Sequence, residues 1–230
     1  MSQDTKKSVE DAPYKSVIEA VRDRGSEQLG FMTSWAWQDD PKRLTFTLAR
    51  YKFVAQMLAG RRSVLEVGCG DGFGSRVVRQ NVAKLTGIDI DPDFVSSAQQ
   101  TMSEKWPVEF RVHDVLATPV EGEFDAIYSL DVLEHIPQEQ EDAFLANMLV
   151  PLARHGVCII GMPSLESQAY ASEYSKLGHV NCKNQASLKS LLSKYFRYVF
   201  NFSMNDEVVH TGYSAMSHYN IALCCEKTAS

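Results

Sequence analysis

The sequence predicts an α/β fold: a mostly parallel sheet with helices on both faces and a helical cap at the N-terminal end. Two observations carry that reading. Short apolar runs alternate with helical patterns through the middle of the chain, and the first run leads into a glycine-rich turn that opens a helix. Parallel strands need long crossovers, and a helix between each pair of strands supplies them. A third observation concerns the end of the chain, where the rhythm changes to helix, strand, polar loop and strand.

Residues 1–12 are polar and without periodicity, which predicts disorder. "DDPKRLTFTLARYKFVAQMLAG" reads as a helix with Asp40 at its N-cap, Pro41 in the first turn and Gly60 as its stop. Leu44, Leu48, Tyr51, Val54 and Leu58 recur at spacings of three and four and form one buried face. Strand patterns follow at 63–68, 84–90, 108–114, 124–130 and 156–162, with helical patterns at 73–82, 92–104 and 137–150. The tail adds a helix at 185–196 and strands at 198–204 and 219–226. The whole chain, residues 1–230, reads as a single domain. Residues 13–60 form its cap, 61–164 its ligand-binding core, and 165–230 a set of loops and closing strands.

Composition narrows the function. A net charge of -6 without any long run of Lys or Arg lacks the electrostatic footprint of a nucleic-acid binder. Neither a signal-peptide core nor a membrane-spanning run is visible. The five cysteines form no C-x-x-C pair, which fits reduced thiols and a cytoplasmic location.

"SVLEVGCGDGFGS", residues 63–75, places Gly68, Gly70, Gly72 and Gly74 at every second position. A strand that enters such a turn and then a helix presents bare backbone to a ligand. The dinucleotide fingerprint G-x-G-x-x-G fails here, because its third glycine position is Phe73. That disfavours a nicotinamide oxidoreductase. The pattern present is E-x-G-x-G-x-G from Glu66 to Gly72, followed by Asp89 at the end of the next strand, 21 residues after Gly68.

"VLEVGCGDG", "LTGIDID", "FRVHDV" and "FDAIYSLDVLEHI" resemble, in order and spacing, the motifs of class I S-adenosylmethionine-dependent methyltransferases. The resemblance covers roughly residues 60–165. It implies a Rossmann-like seven-stranded sheet with its last strand antiparallel, and S-adenosylmethionine as cofactor. It also implies roles. Asp89 accepts the ribose hydroxyls, Asp114 and Val115 hold the adenine, and Gly68, Gly70 and Gly72 pass beneath the amino-acid end. Ile90 and Leu130 complete the cofactor-facing set. Glu66 either braces the loop or joins that set. Asp91 competes with Asp89 for the ribose, but its place before Pro92 suits a helix N-cap. Arg50 and Tyr51 are placed to reach the cofactor carboxylate.

Ligands of open parallel sheets bind beyond the carboxyl ends of the strands. Three polar segments emerge there: "LDVLEHI", "PSLESQAYASEYSKLGHVNCKN" and "NDEVVHTGYSAMSH". Histidine titrates near neutral pH and suits removal of a proton from a methyl acceptor. His135, His179 and His210 are therefore the candidate catalytic residues. The segment "FMTSWAWQDDPK" reads as a lid, with Trp35 and Trp37 either flooring an acceptor pocket or packing on the core. No metal is assigned, although Asp131, Glu134 and His135 resemble in spacing the trio of metal-dependent ubiquinone-type O-methyltransferases.

The expected function is methyl transfer to O or N of a small polar metabolite, such as a sugar or a surface-glycan or secondary-metabolite intermediate. One alternative is a quinone-like or other aromatic hydroxyl acceptor, with or without a metal. Another is a non-catalytic S-adenosylmethionine-binding regulator. The expected partner is a small-molecule acceptor, with no nucleic acid and no membrane; a homodimer is left open.

Overall fold

Alternating side chains decide how the sheet is covered. Along β1 (Ser63–Val67), Leu65 and Val67 pack into one hydrophobic cluster, while Val64 packs into another. Successive side chains of a strand point to opposite faces, so both faces must be covered. The computed structural model describes residues 14–228. The disorder expected for residues 1–12 lies outside them.

The strands are β1, β2 (Lys84–Asp89), β3 (Glu109–Val112), β4 (Phe124–Leu130), β5 (Leu152–Pro163), β6 (Phe196–Asn205), β7 (Val208–His210) and β8 (Tyr219–Lys227). They run in the order β3-β2-β1-β4-β5-β8-β6-β7. The first five are parallel neighbours, and β8 lies antiparallel between β5 and β6. The sheet has eight strands where seven are expected. The extra one is the three-residue β7, which pairs with β6 through a turn at Asp206, whose φ is 50°. Its sequence, "NDEVVH", is too polar and short to announce a strand.

The helices are α1 (Lys15–Arg24), α2 (Phe31–Asp39), α3 (Lys42–Met57), α4 (Ser75–Arg79), α5 (Pro92–Gln100), α6 (Glu141–Leu149), α7 (Glu173–Gly178) and α8 (Gln185–Leu192). Helices α3, α4 and α5 cover one face, through residues such as Val54, Val78 and Val95. Helices α6 and α8 cover the other, through Phe144, Met148 and Leu191. Of the face expected on α3, Leu44, Tyr51, Val54 and Leu58 are buried, but Leu48 is exposed. Helix α2 corrects the expectation that the tryptophans pack on the core, since Trp35 and Trp37 are 57% and 59% exposed. Among the described residues, no helix is long and apolar enough to cross a membrane. All five cysteines are free thiols.

Candidate active site

The glycine loop turns back over the end of β2. Gly68 and Cys69 both donate their N–H groups to the carbonyl of Ile88, at 2.8 and 3.0 Å. Gly70 has φ 52°, and a Cβ built there would meet nothing within 4 Å, so its bare face opens onto space. The other three glycines answer to packing. A Cβ would strike Val132 at Gly68, Phe110 at Gly72 and the Tyr51 ring at Gly74. The Cβ direction at Gly72 points to Phe110 of β3 and Ala98 of α5.

That open face belongs to a cleft of about 590 Å³ at the carboxyl ends of β1, β2 and β4. Strand order reverses between β1 and β4, the switch point where such sheets hold ligands. Gly68, Gly70, Asp89, Ile90, Asp114, Val115 and Leu130 all line the cleft. Asp89 accepts from Gly70 N at 2.9 Å through Oδ2, and from Asp91 N at 3.0 Å through Oδ1. Each carboxylate oxygen keeps a further lone pair for a ligand hydroxyl. Asp114 accepts from Leu116 N at 2.9 Å with Oδ1. Asp91 accepts from Asp93 N and caps α5, as its place before Pro92 predicts. Glu66 lies beneath the loop, away from the cleft, and accepts from the hydroxyls of Tyr51 and Ser75. It braces the loop, and burial pushes its carboxyl up to about 7.

The opposite wall follows β4. Asp131 holds φ 58° and receives the Arg50 guanidinium at 2.9 and 2.8 Å on its two oxygens. Arg50 also stacks 3.8 Å from the centre of the Tyr219 ring. Both cap side chains expected at the cofactor carboxylate are thus engaged, Tyr51 with Glu66 and Arg50 with Asp131. Sequence offers no signal for either pairing, because the partners are distant along the chain.

A 3-10 turn, Leu133–His135, sets His135 on the cleft and turns Glu134 inward, where it is 1% exposed. The Glu134 carbonyl accepts from Val180 and Asn181 N, which draws the 163–184 segment against the turn. His179 arrives with it, its ring 5.2 Å from that of His135. His135 Nδ1 lies 2.9 Å from the Gly178 carbonyl, which has no hydrogen to give. Nδ1 therefore carries a proton, and in the neutral ring the lone pair is on Nε2, 4.0 Å from Glu134 Oε1. His179 Nδ1 makes the same contact with Gln168 Oε1 at 3.0 Å. Burial first, and the nearby His135 second, hold the His179 pKa below the ordinary imidazole value. Both carboxylate oxygens of Glu134 are buried without a hydrogen-bond partner, and burial with the Asp131 charge raises its pKa well above the carboxylate range. One ligand atom from each of Glu134, His135 and His179 lies within 4.8 Å of the others. His210 is not part of this group. It sits in the edge strand β7, bound to Asn205 Oδ1 and Gly212 N, away from the cleft.

Glycine loop, acidic strand ends and switch-point cleft sit on a Rossmann-like α/β fold shared with solved methyltransferases. Residues 64–156 match the family described as "Methyltransferase domain". That match covers 93 of the 230 residues and marks this span as a methyltransferase domain. A ubiquinone biosynthesis O-methyltransferase of Xanthomonas campestris pv. campestris (strain B100) is 37% identical over 101 residues, which are 43% of this chain and 40% of that protein. A protein of the same name from Psychrobacter arcticus is 25% identical over 139 residues, 58% of this chain and 53% of that one. The chain therefore spans about half or less of the length of the curated relatives it matches. Among solved structures, N-methyltransferase NodS from Bradyrhizobium japonicum WM9, in complex with S-adenosyl-L-homocysteine, superposes with TM-score 0.61 at 22% identity, covering 84% of this chain and 91% of that one. Magnesium protoporphyrin IX methyltransferase from Synechocystis PCC 6803, with bound S-adenosylhomocysteine, gives TM-score 0.59 at 19% identity and covers 93% and 96%. At these identities the likeness is one of fold.

Proposed function

We propose that this chain transfers the methyl group of S-adenosylmethionine to a hydroxyl oxygen of a small-molecule acceptor. One observation carries the reading. The bare loop at Gly70, the Asp89 carboxylate and the His135 imidazole, with its Nε2 lone pair, all border the same cleft. When bound, S-adenosylmethionine supplies an electrophilic methyl on a sulfonium. The pocket suits it, because an unobstructed backbone face stands beside a carboxylate with acceptor capacity to spare. Asp89 would accept the ribose hydroxyls, and Asp114 with Val115 the adenine edge. His135 would take the acceptor's proton at Nε2, while the Gly178 carbonyl holds its tautomer. The test is S-adenosylhomocysteine release with hydroxylated and amine acceptors. No turnover with any hydroxyl acceptor, despite tight cofactor binding, would favour an N-acceptor or a non-catalytic binder.

A second reading is favoured by Glu134, His135 and His179, and by the O-methyltransferase names of the relatives. In it the acceptor is a quinol or phenol. These three side chains would then hold a divalent ion, whose chemistry is to polarise the acceptor oxygen. Two imidazoles and one carboxylate suit Mn²⁺, Fe²⁺ or Zn²⁺ better than Mg²⁺. An unpartnered buried carboxylate beside two imidazoles with fixed tautomers fits such an ion. Turnover that survives chelation removes this reading; turnover lost to chelation and restored by Mn²⁺ selects it.

A further inference from the structure

Helix α2 covers the cleft from the N-terminal side, and it is held there by few contacts. Of its residues only Thr33 is buried, and α1 before it buries none. Met32 and Thr33 line the cleft. The residue at the helix N-cap is Gly30, which has no side chain to satisfy the free N–H groups of the first turn. The missing acceptor comes from elsewhere. Asp71, between Gly70 and Gly72 of the loop, accepts from Thr33 N at 2.7 Å and from Thr33 Oγ1 at 3.1 Å. Asp71 is 6% exposed, and a Cβ on residue 30 would collide with its carboxylate. Around this point stand a stack of Phe31 on Phe94 at 5.1 Å, a bond from Phe31 N to Ser97 Oγ at 3.2 Å, and the Glu27–Arg76 ion pair at 2.6 Å. On the other side, the chain leaves α2 through Asp40 in extended backbone.

We infer that residues 26–39 are a lid hinged at Asp40, and that Asp71 latches it by capping α2 from within the glycine loop. One carboxylate then serves two elements, the loop that meets a ligand and the helix that covers it. A ligand that orders the loop holds Asp71 in its capping position and closes the lid. Release of the lid frees Asp71 and loosens the loop, because the coupling is reciprocal. The segment is the kind that opens locally, having little buried apolar surface and a single buried polar anchor. The opening of the lid stands on the geometry alone; its coupling to the cofactor rests on the methyltransferase reading.

The test uses hydrogen exchange on the full chain without ligand, comparing wild type, Gly30→Ala and Asp71→Ala. Gly30→Ala is the cleaner variant. It changes no residue of the loop, wedges a methyl against the Asp71 carboxylate from the lid side, and keeps a backbone that alanine adopts, with φ −59°. Exchange of amides 33–37 should rise roughly tenfold in both variants, the scale of a lost helix cap. Exchange in β1 and β4 should not change. The dissociation rate of S-adenosylhomocysteine should rise by a similar factor in Gly30→Ala. Unchanged exchange at 33–37 in both variants, or an equal rise throughout the sheet, overturns the latch. A raised lid exchange with an unaltered dissociation rate overturns the coupling. If wild type fails to bind S-adenosylhomocysteine, the methyltransferase reading falls, and the exchange arm still decides the latch.

Discussion

The Tyr51 hydroxyl donates to Oε1 of Glu66 at 2.8 Å and ties α3 to β1 beneath the glycine loop. Ser75, the first residue of α4, donates to the other oxygen. Burial nevertheless raises the carboxyl from 4.5 to about 7. Between those values the folded chain keeps a proton that the unfolded chain has released. Stability from this group is therefore fully present below pH 4.5 and falls as pH rises to 7, by at most about 3 kcal/mol. Thermal unfolding across that range should show the decline, and Glu66→Gln should remove that part of it. Equal slopes in the two proteins would sink the assignment.

Asp89 both anchors Gly70 and offers acceptor capacity to the cleft. Its replacement by alanine should weaken S-adenosylhomocysteine binding tenfold or more, since a hydrogen bond to a charged group contributes about 1.5–3 kcal/mol. Titration calorimetry measures this directly. Affinity unchanged in Asp89→Ala would remove the ribose role.

His135 stands on the cleft wall, as does His113, whose Nε2 is engaged by the Thr118 carbonyl; His210 is not on it. His135→Ala should lower turnover by about 10²–10⁴-fold, the usual worth of a positioned base. Cofactor affinity should stay within about threefold. His210→Ala should leave both quantities near wild type. Turnover lost in His210→Ala and kept in His135→Ala would reverse the assignment.

Arg50 and Asp131 form a half-buried ion pair, with side-chain exposures of 17% and 37%. The more buried partner should matter more. Arg50→Met is expected to cost about 2 kcal/mol in denaturant unfolding, and Asp131→Asn about 1, because solvent screens the Asp131 side. The double variant should cost less than the sum, with a coupling of about 0.5–3 kcal/mol. Strict additivity would show that the pair contributes nothing.

Local chemistry made the core legible. β1, β2 and β4 are apolar runs that lead into glycine or acid, β5 carries a long apolar run, and the Asp91–Pro92 cap of α5 follows from a dipeptide. The short edge strand β7 was not legible, because its two-residue turn and polar flanks read as loop. Trp35 and Trp37 misled for a related reason. A bulky side chain predicts burial only when another surface is available to cover it, and α2 turns theirs outward.

By itself the sequence determined the α/β rhythm, the bare loop after the first strand and the acid at the end of the second, because spacing along the chain sets each of them. Only the tertiary structure decided which polar groups share one cleft. Nothing along the chain links Arg50 to Asp131, His135 to His179, or Thr33 to Asp71. Those meetings depend on how strands order in the sheet and on how long segments fold back across its carboxyl edge, and both are outcomes of packing over distances that no local pattern records.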